Sequence, residues 1–171
     1  MNWTVGATLG AVVVGLGLLI WEIVVWWPGR KAIMKYPLAL LELGPFLFGF
    51  CFGSLAAMTG GALGWIADAT LWAGGWAGDA GLIWGVGGFR EDVSRGGPQA
   101  LTNGGLAIVL LLCFLFFAVL KRKAATRKGV RNGALSGVML GTVKGVAGVM
   151  AIPLASLVNL AGAWMSTGVL H

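Results

Sequence analysis

The chain has 171 residues, of which 58% are apolar and 11% are Asp, Glu, Lys or Arg, with a mean hydropathy of +0.88. A soluble domain carries about 25% charged residues because its surface faces water. This composition therefore excludes a soluble enzyme, a disordered tail and a disulfide-stapled secreted module. The net charge of +6 matters through its distribution, because Lys and Arg mark cytoplasmic loops of membrane proteins.

The apolar runs predict four membrane-spanning helices. The first covers about 4–27, with Trp26 and Trp27 as interface anchors before Pro28 and the basic Arg30 and Lys31. No Lys or Arg precedes Arg30, which argues against a cleaved signal peptide. The second covers about 37–58, with Pro37 as a first-turn proline. The third, about 104–120, is almost pure Leu, Phe, Val, Ile and Ala. The fourth covers about 132–152, and Pro153 is expected to kink or end it. Cys51 and Cys113 lie inside apolar runs, where they read as small buried residues rather than a disulfide.

The connection 59–103 is too long and too apolar for a plain loop. Within it, 64–74 (GWIADATLWAG) and 75–85 (GWAGDAGLIWG) share six of eleven residues, a period close to three helical turns. On a helix, Trp65, Asp68, Trp72, Trp76 and Asp79 would fall on one side. Two readings stand open: a Trp-rich amphipathic element in the outer interface or capping a pore mouth, or a packed glycine-rich loop. The stretch 87–103 is expected as an exposed loop.

Charge placement orients the chain. Arg30, Lys31 and Lys35 fill the first loop without an acid, and Lys121, Arg122, Lys123, Arg127, Lys128 and Arg131 fill a basic loop over 121–131, also without an acid. Both belong in the cytoplasm. The connection 59–103 carries four acids against two arginines and belongs outside. The expectation is an all-α integral membrane protein with four transmembrane helices, a Trp/Gly-rich external segment between helices two and three, and both termini outside a bacterial cytoplasmic membrane.

Among the 30 glycines, Gly129, Gly133, Gly137, Gly141 and Gly145 recur at every fourth position, and Gly49 and Gly53 give a looser version. In lipid, small residues let helix backbones approach closely. Such GxxxG faces serve contacts either within one subunit or between copies in a homo-oligomer, and two strong faces in so short a chain point to the oligomer. Three charges fall within the predicted spans: Glu22 and Glu42, about 8 Å inside the cytoplasmic boundary, and Lys144, about 17 Å inside. Charges at such depth demand a partner or water. A Glu22–Lys144 pair would lock packing, whereas Lys144 or Glu42 on an aqueous path would line a pore. The basic loop fits anionic lipid headgroups; contact with nucleic acid is a weaker alternative, because no aromatic residue interleaves with the charges.

No metal-ligand cluster, phosphate-binding loop or nucleophile motif is present, so no cofactor, metal or catalytic residue is assigned. The expected function is a non-enzymatic membrane protein that homo-oligomerises through its glycine faces and forms or lines a pore, channel or transport complex. The alternatives are a structural accessory subunit of a larger membrane complex, conjugative DNA-transfer machinery included, and a holin-like pore former.

Overall fold

Thr8 stands before an apolar run, and its hydroxyl accepts a hydrogen bond from the Ala11 N–H at 3.3 Å. This cap starts helix α1, Leu9–Trp26. The structure is a computed structural model and describes residues 6–27, 42–93, 101–121, 123–141, 143 and 146–169. Five further helices follow: α2 Gly44–Ala56, α3 Gly61–Ala80, α4 Asn103–Leu120, α5 Ala124–Gly141 and α6 Val146–Val169. Helix α3 continues through a π turn, Gly81–Gly85. Strands β1, Ala7–Thr8, and β2, Asp92–Val93, form one short antiparallel pair with Thr8 opposite Asp92.

Helices α1 and α4 each have 18 residues, with mean hydropathy 2.2 and 2.5, and are long and apolar enough to cross a membrane. At about 1.5 Å per residue each measures about 27 Å, close to the hydrocarbon thickness of a bilayer. A third candidate is the pair formed by α2 and the α3–π-turn unit, bent by 109° at its break. The outer faces of α1 and α4 leave Ile20, Trp21, Val24, Phe114 and Phe117 exposed, as contact with lipid requires. The chain is thus an all-helical, membrane-embedded protein.

Several boundaries differ from the sequence expectation. Helix α2 starts at Gly44 with Pro45 in its first turn, where the N–H that proline lacks would have no intrahelical partner. Pro37 lies outside the described residues. The expected loop 121–131 is helical from Ala124 onward, since Arg and Lys are good helix formers. The span expected over 132–152 is not one helix. Helix α5 ends at Gly141, Val143 is non-helical, and α6 begins at Val146. Gly141 weakens the helix there by about 1 kcal/mol relative to Ala, and the β-branched Val143 follows it. Pro153 does not end its helix; it lies within α6. The segment 59–103 contains the long helix α3 and strand β2 where a loop was one option.

Backbone contacts set the helix directions. Cβ atoms built on Gly133, Gly137 and Gly141 would run into Phe46, Phe50 and Ser54 respectively, so α5 and α2 lie parallel with their backbones touching. Helix α1 runs the opposite way, since Ser136 donates to the Gly15 carbonyl at 2.8 Å and Asn132 to Glu22 at 3.4 Å. Helix α4 also opposes α2: Phe116 stacks on Phe52 with ring centroids 4.4 Å apart, while Leu55 packs with Val109. Helices α4 and α6 are antiparallel, with Gly104 against Gly162 and Gly105 against Asn159.

Candidate functional site

Polar groups inside an apolar bundle are the natural place to look for function, and among the described residues they gather along α5. This helix carries Arg127, Lys128 and Arg131 on its exposed face, while Asn132 and Ser136 are buried beside Gly133 and Gly137. Its glycines bring the α2 backbone close, and the polar side chains reach the other neighbour, α1. Ser136 satisfies the Gly15 carbonyl, and Asn132 donates to the Glu22 carboxylate. From the α2 side, the buried Ser54 donates to the Gly137 carbonyl at 3.2 Å. The result is a polar seam of Glu22, Asn132, Ser136 and Ser54 between α1, α5 and α2.

The Glu22 carboxylate accepts from Asn132; the pair with Lys144, one of the two readings of these charges, falls on a residue outside the described ones. The carboxylate also passes Gly129, where an added Cβ would sit 3.6 Å from Glu22 Oε1. Gly129 is therefore looser than the three glycines after it. Glu42 is exposed in the turn before α2. The glycine stripe behaves as a contact face from Gly133 to Gly141, and its partner is the stripe of Gly49 and Gly53 in the same chain. Cβ atoms at Gly49 and Gly53 would strike the Val130 and Ala134 carbonyls. Gly145 lies outside the described residues, and so does Arg122. Lys121, Lys123, Arg127, Lys128 and Arg131 are all exposed, a continuous basic surface from the end of α4 along the start of α5.

A second polar cluster lies at the opposite end of α1. Asp79 is buried, at 7% exposure, and its Oδ1 accepts the Gly10 N–H at 3.2 Å. The Leu9 N–H reaches the Glu91 carbonyl at 2.8 Å and the Ala11 N–H reaches Thr8. Three first-turn donors of α1 thus find partners, and the carboxylate complements the positive end of the helix dipole. Arg90 Nε stands 3.6 Å from Asp79 Oδ2 and 3.9 Å from Asp92 Oδ1. Asp79 is buried at this end of α3, while the tryptophans expected on the same side differ from it in exposure, although Trp72 and Trp76 line a cavity with it. Trp65, Trp72 and Trp76 are exposed, whereas the buried face of α3 is Gly64, Ala67, Leu71, Gly74, Gly75 and Gly78, crossing α1 where Gly78 meets Gly10. Trp27 is exposed and Trp26 half-buried at the far end of α1.

Asn132, Ser136, Ser54, Arg90 and Asn159 make polar contacts that no sequence motif singles out. Asn159 Oδ1 accepts both the Thr102 N–H at 2.9 Å and the Thr102 hydroxyl at 3.1 Å, tying the start of α4 to α6. For Asn132 and Ser136 a signal existed: each directly precedes a glycine of the packed stripe, and polar side chains beside small-residue faces bond across helices. Among the described residues no group of His, Cys, Asp and Glu could hold a metal ion. In comparisons with known proteins, no family model, no curated protein and no solved structure matches the chain.

Proposed function

We propose that this chain is a non-enzymatic polytopic protein of the bacterial cytoplasmic membrane that serves as a structural subunit of a larger membrane assembly. It crosses four times, through α1, α2, α4 and the α5–α6 pair, with both termini and α3 outside. The directions of α1, α2, α4 and α5 alternate as four passes require, and the basic surface at the α4–α5 turn lies on the cytoplasmic side. Helix α3, turned 109° from α2 and crossing α1 at its first turn, lies along the outer interface with its exposed tryptophans at headgroup level.

The observation that carries the reading is the meeting of the glycine stripes of α2 and α5 within one chain. Those faces are filled, so the apolar outer faces of α1, α4 and α6 are what the protein offers to neighbours. A homo-oligomeric pore or transport complex is the second reading, and the polar seam along α5 favours it. Native mass spectrometry in detergent combined with bilayer conductance separates the two. Single chains, or chains bound to other proteins, without conductance support the structural subunit. A defined homo-oligomer whose conductance falls in Lys144→Ala overturns it in favour of the pore.

A further inference from the structure

The cluster at the start of α1 opens into a cavity of about 320 Å³ between α3 and strand β1. Leu71 lies at its buried side, Trp72, Trp76 and Trp84 line it, and Asp79 and Arg90 supply its charge. The two charged residues are not equivalent. Asp79 is buried and its carboxylate accepts the Gly10 N–H, so it belongs to the scaffold. Arg90 has a 66% exposed side chain, and both of its ion pairs are longer than a hydrogen bond. Its guanidinium donors are therefore open to an anion, and a planar fork of this kind suits phosphate. Asp79 and Asp92 outnumber Arg90, however, so an anion alone would enter a site of net negative charge. Indole faces and a neighbouring carboxylate are the surroundings that attract an ammonium group. A ligand carrying a phosphate and an ammonium a few ångströms apart satisfies both halves.

We infer that this cavity binds the zwitterionic headgroup of a membrane phospholipid of the phosphoethanolamine class, with the phosphate on Arg90 and the ammonium among the indoles that line the cavity together with Asp79. The location supports a lipid source. The cavity lies at the first turn of an 18-residue apolar helix, the depth at which headgroups lie, and exposed tryptophans surround it, as is usual at membrane interfaces. Placement on the outer leaflet rests on the topology proposed above; the chemistry of the cavity does not.

The test titrates the delipidated full-length chain in detergent with phosphatidylethanolamine or with phosphatidylglycerol of the same acyl chains, and counts bound lipid by native mass spectrometry. The ethanolamine lipid is expected to bind at least about threefold more tightly, and Arg90→Ala to weaken it about tenfold, as loss of one charge-assisted contact does. Because Arg90 also neighbours the Asp79 cap, a second variant guards against misfolding. Trp84 is 84% exposed, so Trp84→Leu is expected to leave the unfolding temperature unchanged while weakening the ethanolamine lipid about threefold. Equal affinity for the two lipids, or wild-type preference in both variants, overturns the inference. Soluble glycerophosphoethanolamine binding as tightly as the lipid overturns the assignment to a membrane lipid. Labelling of Phe89→Cys by an impermeant maleimide in intact cells, in a Cys51→Ser, Cys113→Ser background, reads the side of the membrane separately. Protection of that cysteine would overturn the outer placement and leave the detergent titration to stand by itself.

Discussion

Replacing Gly137 by alanine tests the central contact of the fold. The added methyl would stand 3.0 Å from the Phe50 Cα and overlap the Phe50 carbonyl. Carbon atoms rest about 3.5–4.0 Å apart, so α2 and α5 must separate by roughly 1 Å. Overpacking of this kind costs about 1–3 kcal/mol. Weakening the Ser54 to Gly137 hydrogen bond, 3.2 Å in the native protein, adds about 0.5–1.5 kcal/mol. Alanine returns about 1 kcal/mol through its better helix propensity. The sum is a destabilisation of about 0.5–3.5 kcal/mol, whose midpoint of about 2 kcal/mol lowers the melting temperature by roughly 5 °C for a chain of this size. Gly17→Ala is the control. It lies on α1 with nothing within 4 Å of an added Cβ, and it is expected to hold or raise stability. Thermal unfolding in mild detergent, followed by tryptophan fluorescence and repeated at several protein concentrations, reads both variants. If Gly137→Ala melts like the wild type, or if its defect vanishes on dilution because the stripe faces another copy, the reasoning fails.

Asp79→Ala leaves the Gly10 N–H without its acceptor and Arg90 without its nearest carboxylate; it is expected to destabilise by about 1–3 kcal/mol, while Asp79→Asn, which retains an acceptor, loses less. Both are measured by the same melts. Asn159→Leu removes the acceptor shared by the Thr102 N–H and hydroxyl, and faster amide hydrogen exchange at the start of α4 is the expected sign, with exchange on α1 unchanged. Neutralising Arg127, Lys128 and Arg131 together is expected to weaken binding of anionic lipid to the chain in neutral detergent by about 1 kcal/mol per residue at low salt, with the difference shrinking as salt rises. Titration with anionic lipid followed by native mass spectrometry measures it, and an unchanged bound fraction would remove the basic surface as a lipid contact.

The parts of the fold legible in the sequence are those with a one-dimensional signature. Helix α4 is an unbroken apolar run behind a threonine cap, so its limits, 103–120, nearly coincide with the expected 104–120. The glycine period of four is equally plain, but periodicity shows that a face is packed and not what packs against it; the partner, Gly49 and Gly53, is determined only in three dimensions. The six basic residues from Lys121 to Arg131 read as a loop by their charge, yet the same charges are compatible with helix, and α5 begins among them. Asp68 and Asp79 occupy equivalent places in the eleven-residue repeat. Their fates diverge because the first turn of α1 arrives at Asp79 alone, a contact across 69 residues that no local pattern records.

Helix α5 also has a history implied by its composition. With Arg127, Lys128, Arg131, Asn132 and Ser136 in 18 residues, it is far more polar than α1 or α4 and has little affinity of its own for an apolar phase. What holds it in the bundle is the notch cut by Gly49 and Gly53 and the acceptors on α1. Both partners precede it in the chain. Synthesis therefore completes both packing partners of α5 before α5 itself. A chain with α1 and α2 deleted would leave the glycine face of α5 without its notch and Ser136 without the Gly15 carbonyl.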